Sequence, residues 1–258
     1  MKLKPYSPVT TVRKAFRLLE VLGEKQPARP SELANQLKLS RSNVHRLLAT
    51  LKDMGCVERL SNGTYCLGIK LFLLGNTVVY RNRLADMVRP FLTHLAEISQ
   101  ENVNLGIMHE QKVLYIDKIE SPHYLKLDKP IGKTDPIYCT ALGKALLSGL
   151  TDDELETFLR NSKLVPYTKK TIRDPETLTR EIRKVRKQGY AVDLEELSDG
   201  IRCIAVPILD YTNKVIAAIS ISAPSLRLTR QKMKELKNPL IEATAEASKK
   251  FRTLDKGA

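Results

Sequence analysis

The sequence predicts an α+β protein of two domains, and three observations lead to this prediction. The chain has 258 residues with 42% hydrophobic content, which exceeds one typical domain and suffices for more than one core. Apolar residues with helical spacing dominate residues 12–54, and a hairpin pattern follows them. Residues 102–222 mix alternating, extended segments with helical ones and end in an antiparallel hairpin, which is typical of an α+β domain around one sheet.

Charge distinguishes the two predicted domains. The formal net charge is +14, and residues 1–70 hold 13 Lys and Arg against 5 Asp and Glu, a net of +8. Such a density favours a polyanionic partner, although a membrane face or mere solubility also fits a basic surface. The chain lacks both a run of 18 apolar residues and the hydrophobic segment of a signal peptide. We therefore expect a cytoplasmic protein with no membrane partner.

The cysteines and histidines indicate neither a disulfide framework nor a metal site. No CxxC pair occurs, and we expect free thiols, although Cys56 and Cys66 can face each other across a hairpin. The four histidines, at positions 45, 94, 109 and 123, lack ligand spacing. We predict no metal and no cofactor.

A helix with one apolar and one polar face is predicted from Leu39 to Gly55, and it organises the basic domain. Ser40 is placed to cap its first turn. Its polar face carries short hydrogen-bonding side chains, one arginine and a small alanine, which suit a helix that enters a DNA major groove by its N-terminus. An ordinary amphipathic surface helix has a similar pattern. The apolar face comprises Val44, Leu47, Leu48, Leu51 and Met54.

The neighbouring segments favour the DNA-binding interpretation. One helix is predicted to end at Gly23, and a second has Pro30 at its first position. Only residues 38–40 separate this second helix from the third, which predicts a helix-turn-helix at about residues 30–54. A hairpin wing is predicted at residues 56–67 around Asn62-Gly63, because Asn-Gly suits a two-residue turn whose central positions both need positive φ. This order defines a winged helix domain, which we place at residues 1–70.

The predicted partner of this domain is double-stranded DNA. A winged helix that binds RNA or a protein is the rival, and it would be expected to expose stacking aromatic residues, of which residues 40–50 contain none. Wing residues are placed to contact phosphate, although an exposed hairpin tip can equally be inert. The predicted DNA-binding residues are Ser40, Arg41, Ser42, Asn43, His45, Arg46, Arg59 and Thr64.

Residues 71–258 are predicted to form a linker helix and a larger domain. Dense apolar residues predict one helix to about Asn82 and another to Ser99. A connector with so many apolar residues suggests dimerisation, and two winged helices that read a palindrome require a dimer. The alternative is that the connector packs only on its own domain. Further elements are predicted as a hairpin at 102–119, an extended piece at 124–128, helices from about 140, 151, 174 and 229, and strands at 190–193, 203–209 and 214–222.

A polar spot is predicted on the sheet of the larger domain. Ser220 and Ser222 fall on one face of a strand among apolar residues, and Cys203 and Asp193 on neighbouring strands can converge on it. The free N–H groups of the helix that starts near Thr140 can hold a carboxylate there. The alternative is that the serines only satisfy buried backbone groups.

An enzyme that acts on a small metabolite, with a basic accessory domain, is the alternative reading of the whole chain. It needs a nucleophile with a base, or a phosphate-binding loop. No histidine lies within 75 residues of Cys203, and no G-x-S-x-G motif occurs. We therefore predict no catalytic residues and a protein that is not an enzyme.

Three stretches resemble the IclR family of bacterial transcription regulators. SRSNVHRLLATLKDMGCVERLSNGTYCLGIKLFLLG resembles its DNA-binding end, in which a polar triplet precedes V-H-R-L-L and the wing closes on Y-x-L-G. ELSDGIRCIAVPILDYTNKVIAAISISAPSLRLT and TALGKALLS resemble its effector domain. Lys38 stands where the family commonly has glycine, and Ser40 where it commonly has proline. We expect the first departure to cost little if Lys38 avoids positive φ.

The resemblance implies a winged helix joined by a linker helix to a GAF-like effector-binding domain, in dimers that often pair into tetramers. It also implies a small effector, commonly a carboxylic acid, surrounded by Ala141, Leu142, Asp193, Cys203, Ser220 and Ser222. The expected function is that of a ligand-responsive transcription regulator, which binds a palindromic operator as a dimer or tetramer and senses a small organic acid.

Overall fold

The computed structural model describes residues 9–76, 79–127 and 129–254. The helices of this part are α1 (Thr10–Glu24), α2 (Pro30–Leu37), α3 (Arg41–Asp53), α4 (Ile69–Asn76), α5 (Val79–Ser99), α6 (Ala141–Leu147), α7 (Asp152–Asn161), α8 (Pro175–Gln188) and α9 (Arg230–Leu254). Its strands are β1 (Val57–Arg59), β2 (Tyr65–Leu67), β3 (Asn102–His109), β4 (Lys112–Ile119), β5 (Thr134–Pro136), β6 (Ala191–Leu194), β7 (Ile201–Leu209) and β8 (Val215–Pro224).

The chain divides into two compact units, Met1–Asn82 and Arg83–Ala258. This division falls inside α5, whereas the boundary placed after residue 70 from the sequence falls near the start of α4. The linker was predicted as one helix to about Asn82 and a second to Ser99. The structure has α4 from Ile69 to Asn76 and α5 from Val79 to Ser99, and residues 77–78, which stand between them, lie outside the described part.

The first unit is a winged helix with its core between α1, α2, α3 and the β1–β2 hairpin. Leu18, Leu33 and Leu48 are at most 1% exposed, and each such burial stabilises the unit by about 1.5 to 3 kcal/mol. Four of the five apolar residues predicted on α3 are buried. Met54 is 61% exposed because α3 ends at Asp53, so its assignment to the buried stripe was wrong.

The turn between α2 and α3 departs from expectation at Lys38. This residue has φ 53° and ψ 42°, the left-handed conformation. Its N–H donates to Asn35 O (3.3 Å), and Leu39 N–H donates to Ala34 O (3.0 Å), which is the Schellman pattern that usually has glycine at the left-handed position. The condition under which the departure from glycine costs little, that Lys38 avoids positive φ, is therefore not met.

The wing is a hairpin whose loop has three residues rather than two. Leu60 N–H donates to Thr64 O (2.9 Å), so residues 61–63 form the loop. Of the predicted pair, only Gly63 has positive φ, at 79°. A β-turn followed by a left-handed glycine is the usual geometry of such a loop. Asn62 accepts the Thr64 N–H (3.1 Å) with its side chain, which favours this turn over the predicted one.

The second unit is built on a six-stranded antiparallel sheet of order β5-β4-β3-β8-β7-β6. Helices α5 and α9 cover one face, with Leu92 and Leu240 fully buried between them and the sheet. Helices α6, α7 and α8 cover the other face through residues such as Leu147, Phe158 and Ile182. Sheet and helices together confirm the predicted α+β class.

One predicted strand is absent from the described part of this unit. Residues 124–127 form an irregular loop, and Asp128 lies outside the described residues. The strand that pairs with β4 on the side away from β3 is β5. Side-chain hydrogen bonds hold the loop instead of a strand ladder. Asn102 Nδ2 donates to Leu127 O (3.0 Å), and Ser121 Oγ donates to Gln100 O (2.9 Å).

Candidate functional site

The N-terminal half of α3 presents a continuous polar surface. Ser40 Oγ accepts the Asn43 N–H (3.3 Å) and caps the helix as predicted. The predicted residues here are all exposed, and they alternate with buried Val44 and Leu47: Ser40, Arg41, Ser42, Asn43, His45 and Arg46. A capped helix end with exposed donors and acceptors has the chemistry that reads base edges in a major groove.

Helix α1 adds a cation that the sequence did not indicate. A surface depression is lined by Thr11 and Lys14 of α1 and by Asn43, Arg46, Leu47 and Thr50 of α3. Lys14 and Arg46 thus converge from two helices where no carboxylate lines the surface. Lys14, at the side of α3, suits a DNA phosphate. Only the packing of α1 against α3 brings Lys14 here, so its spacing in the sequence carried no signal.

The two wing residues have different environments. Arg59 is exposed on β1. Thr64 is only 8% exposed, and its hydroxyl donates to Asn62 Oδ1 (2.6 Å). Because the hydroxyl of Thr64 is used inside the hairpin, we leave this residue out of the candidate DNA surface.

In the second unit, a cavity of about 500 Å³ lies on the face of the sheet that α6 covers. All six residues named for the effector line it: Ala141, Leu142, Asp193, Cys203, Ser220 and Ser222. Strand pairing explains their convergence. Asp193 pairs with Cys203, and Cys203 pairs with Ser222, so their side chains form a row on one face.

Asn104 of β3 joins the two serines. Its Nδ2 lies 3.5 Å from Ser220 Oγ and 3.4 Å from Ser222 Oγ, both at the long limit of a hydrogen bond. As acceptors of this amide, the hydroxyls can donate their own hydrogens, that of Ser220 to a ligand in the cavity and that of Ser222 to a ligand or to the Cys203 sulfur. Asn102 and Asn104 occur two residues apart in a mainly apolar strand, and this alternation is a signal that the sequence contains.

The N-terminus of α6 also borders the cavity. Thr140 Oγ1 accepts the Gly143 N–H (3.0 Å), whereas the N–H groups of Ala141 and Leu142 begin the helix and have no acceptor within it. Gly143 lets the helix lie close to the preceding chain, since a Cβ at this position would stand 1.8 Å from Ile137 O. The glycine of the TALGKALLS stretch is thus a packing requirement.

Two buried acids stand at the β6 end of the cavity. Burial raises the pKa of Asp193 to about 7, although the Glu196 N–H that its Oδ1 accepts (2.6 Å) favours the charged form. Glu196 forms a buried ion pair with Lys144 of α6, and burial raises the pKa of Glu196 as well. Asp193 therefore sits near its titration point at neutral pH.

Cys203 does not have the environment of a nucleophile. Burial raises the pKa of the Cys203 thiol far above its ordinary value, and the negative charge of Asp193 raises it further. A protonated, buried thiol is unreactive. All four cysteines are free, and Cys66 pairs with Glu58 across the wing rather than with Cys56.

A second polar cluster lines the cavity, and the sequence did not indicate it. Tyr115 OH donates to Asp135 Oδ2 (2.8 Å), and Lys129 Nζ lies 3.0 and 2.8 Å from the two carboxylate oxygens of Asp135. Burial and the negative charge of Asp135 raise the pKa of Tyr115 well above its ordinary value, so its hydroxyl stays protonated. The three residues come from β4, a loop and β5, and only strand pairing brings them together.

The described residues contain neither a candidate metal site nor a candidate membrane span. In that part of the chain, no group of three or more His, Cys, Asp and Glu residues is arranged to hold a metal ion. Within the same ranges, no helix has the length and apolar character needed to cross a membrane.

A winged helix with a polar recognition surface, joined in one chain to an α+β domain with a ligand-sized polar cavity, defines a DNA-binding transcription regulator with an effector domain. Family models agree with this class. Residues 11–61 match the IclR helix-turn-helix domain, and residues 76–249 match the bacterial transcriptional regulator IclR C-terminal domain. The chain belongs to the IclR family, as its sequence predicted.

Individual relatives agree over most of the chain. The HTH-type transcriptional regulator KdgR of Escherichia coli is 36% identical over 228 residues, which cover 88% of this chain and 87% of KdgR. The transcriptional repressor IclR of the same organism is 32% identical over 93% of this chain and 89% of its own length. The crystal structure of the Thermotoga maritima IclR superposes with a TM-score of 0.80 and 33% identity, covering 94% of this chain and 99% of that one.

Proposed function

We propose that this regulator binds a palindromic operator as a dimer or tetramer in the cytoplasm, and that a small organic acid in its cavity changes operator affinity. The observation that carries the proposal is the convergence of six effector residues, separated by up to 81 positions in the sequence, on one cavity of about 500 Å³. A cavity of this size with a few convergent polar groups is typical of a small-molecule site.

The DNA-binding half of the proposal rests on the exposed N-terminus of α3. Asn43 and Arg46 are the residues with side chains suited to base edges, since Asn pairs with adenine and Arg with guanine. Lys14 borders this surface, and Arg59 is exposed on β1 of the wing. Both suit phosphate, which fixes register without reading sequence.

The oligomeric half rests on an apolar surface that the first unit does not bury. Ile69, Phe72 and Leu73 of α4 are 64%, 62% and 54% exposed. So much exposed apolar surface on one short helix is typical of an interaction site. A two-fold dimer buries it and places two recognition helices on the half-sites of a palindrome.

The effector half rests on anion-binding groups within a mainly uncharged wall. The hydroxyls of Ser220 and Ser222 and the first N–H groups of α6 are donors that suit a carboxylate. A thermal-shift screen of small organic acids tests this half, because a ligand that binds only the folded state raises the melting temperature. The proposal includes no catalytic step, since Cys203 is held as a buried thiol.

Substitution of two arginines tests the DNA-binding half. Arg46→Ala is expected to lose about 1 to 3 kcal/mol of affinity for the operator and much less for random DNA. Arg59→Ala is expected to weaken both DNAs alike and to reduce the salt dependence by about one phosphate contact. Titrations at several salt concentrations measure this, with Lys25→Ala, at the far end of α1, as the control. Equal losses on both DNAs for Arg46→Ala contradict groove insertion.

A further inference from the structure

The inference concerns the cluster formed by Tyr115, Lys129 and Asp135, which we call the Asp135 cluster. We propose that the effector is a monocarboxylic acid with hydroxyl groups remote from its carboxylate, and that the Asp135 cluster binds those hydroxyls. The inference rests on the proposed function, because it assumes that the cavity binds an organic acid, and it adds the chemical class of that acid.

The cluster is held in place before any ligand arrives. The backbone of Tyr115 is fixed by two hydrogen bonds to the loop ahead of β5: its N–H donates to Lys133 O (3.1 Å), and its O accepts the Gly132 N–H (2.8 Å). Its side chain is only 6% exposed. Asp135 in turn is held by Tyr115 and Lys129 at 2.8 to 3.0 Å. Groups fixed in this way bind a ligand with little cost of ordering.

The cluster has unused hydrogen-bonding capacity of both kinds. A carboxylate has about four acceptor positions, and Tyr115 and Lys129 occupy three of those of Asp135. Lys129 has three N–H donors, of which Asp135 takes at most two, and the phenol oxygen of Tyr115 still accepts. A hydroxyl is both donor and acceptor, so it satisfies Asp135 and Lys129 together.

Other chemical groups match the cluster less well. A second carboxylate would face the negative charge of Asp135, and Lys129, the one cation among the described residues that line the cavity, is already paired with that carboxylate. An alkyl group would cover the spare donors and acceptors without replacing their hydrogen bonds to water, which is unfavourable. The cluster therefore selects for hydroxyl groups.

The position of the cluster separates it from the carboxylate-binding end. Ser220 and Ser222 lie on β8 and Asp135 lies on β5, with β3 and β4 between them in the sheet. Both groups nevertheless line the same cavity of about 500 Å³. A hydroxylated acid whose carboxylate binds the serines therefore contacts the cluster with a hydroxyl remote from that carboxylate.

Three six-carbon acids test the inference because they differ in the group that reaches the cluster. Gluconate has hydroxyls, hexanoate has an alkyl chain and adipate has a second carboxylate. Isothermal titration of the full-length protein is expected to give gluconate an affinity at least about tenfold higher than that of either other acid, since a site built for hydroxyls rejects analogues that lack them.

Substitutions in the Asp135 cluster test whether it causes the preference for gluconate. Tyr115→Phe and Lys129→Gln are each expected to weaken gluconate at least about fivefold and to leave hexanoate within about twofold, whereas Ser220→Ala should weaken all three acids. Tyr211→Phe, in the exposed β7–β8 turn, is the control for loss of a tyrosine hydroxyl. The melting temperature without ligand is measured for each variant, and Lys129→Gln, at a partly exposed position, serves if Tyr115→Phe does not fold.

The outcomes separate this inference from the proposed function. Equal or tighter binding of hexanoate or adipate overturns the inference and leaves acid sensing in place. Unchanged gluconate preference in both cluster variants also overturns it. If none of the three acids binds, the inference fails, and acid sensing is then decided by the thermal-shift screen with shorter and aromatic acids. The expected preference, lost in the cluster variants alone, supports it.

Discussion

Asp193 is the residue whose ionisation links the cavity to pH. It is 2% exposed, and its pKa is raised to about 7 because burial penalises the charged carboxylate. The Glu196 carboxylate nearby raises it further, whereas the Glu196 N–H and Lys144 act in the opposite direction. In the unfolded chain the same carboxyl has an ordinary pKa near 3.9. At pH 5 to 6 the folded protein thus holds a proton that the unfolded chain has released.

This difference predicts that the protein loses stability as pH rises from about 5 to 7. The folded state binds more protons than the unfolded state in this window, so the free energy of unfolding falls with pH and levels off above the folded pKa. The loss should be on the order of 2 kcal/mol, at about 1.4 kcal/mol per pKa unit. Urea unfolding at pH 5, 6, 7 and 8 measures it, with Asp193→Asn as the comparison.

Asp193→Asn should flatten this pH dependence, because an amide oxygen still accepts the Glu196 N–H but does not titrate. Glu196, whose pKa is also raised by burial, accounts for the part of the slope that remains. Neighbouring lysine side chains lower the pKa values of Glu120 and Glu195 to about 2, so these carboxyls titrate below the window. Parallel slopes in the wild type and the variant would contradict the assignment to Asp193.

The turn between α2 and α3 shows how one element can carry avoidable strain. Lys38 has φ 53°, a conformation that costs an L-residue about 1 kcal/mol and costs glycine nothing. Lys38→Gly should therefore stabilise the winged helix unit by about 0.5 to 1 kcal/mol, net of the entropy of glycine in the unfolded chain. Chemical unfolding of the full-length protein, followed by the loss of helical circular dichroism, measures the change in the free energy of unfolding.

A matched control exists at the end of α1. Lys25 also follows a helix but has φ −142°, so Lys25→Gly gains nothing from the freedom of glycine and should destabilise the unit by about 0.5 to 1 kcal/mol. Opposite signs for the two lysine-to-glycine changes are the expected result. Destabilisation by both would mean that Lys38 is not strained in the turn.

Elements with long periodic patterns were predictable from the sequence, and details of turns were not. The apolar spacing of α3 located its buried face, since helix geometry alone decides which of its residues share a side. The Asn62-Gly63 pair located the wing, but the hydrogen bonds of Asn62 with Thr64 favoured a three-residue loop. Residues 124–127 have a strand-like composition, and only the contact from Asn102 shows that they form a loop.

The same distinction applies to the site. Ser220 and Ser222 were found because alternation on one strand puts them on one face. Asp193 and Cys203 were grouped with them by their predicted neighbouring strands and by the family resemblance. The Asp135 cluster and Lys14 depend on contacts between elements distant in sequence, for which a single sequence contains no spacing rule.

The whole molecule combines a DNA-binding unit and an effector unit, and the proposed regulation requires a free-energy coupling between them. An effector changes operator affinity only by the difference in its affinity for two arrangements of the protein, and the operator changes effector affinity by the same factor. Loss of effector contacts should therefore abolish the response to effector without affecting operator binding in its absence.

The double variant Ser220→Ala with Ser222→Ala tests this coupling. Each hydroxyl lost from a carboxylate should cost about 1.5 to 3 kcal/mol of effector affinity, because hydrogen bonds to a charged group are stronger than neutral ones. Both serines lie in the second unit, at most 7% exposed. We expect the variant to bind operator as the wild type does and to ignore the effector at concentrations that saturate the wild type.

The measurement is an operator titration with and without an acid identified by the thermal-shift screen. It is made on the wild type, on the double variant and on Ser225→Ala. Ser225 lies in the turn that follows β8 and serves as the control. A response of the double variant at the same acid concentration as the wild type means that the serines only satisfy buried groups such as Asn104. If the double variant loses operator binding even without effector, the two serines maintain the fold of the effector unit. A destabilised unit lowers the amount of folded protein, which weakens operator binding and effector binding together.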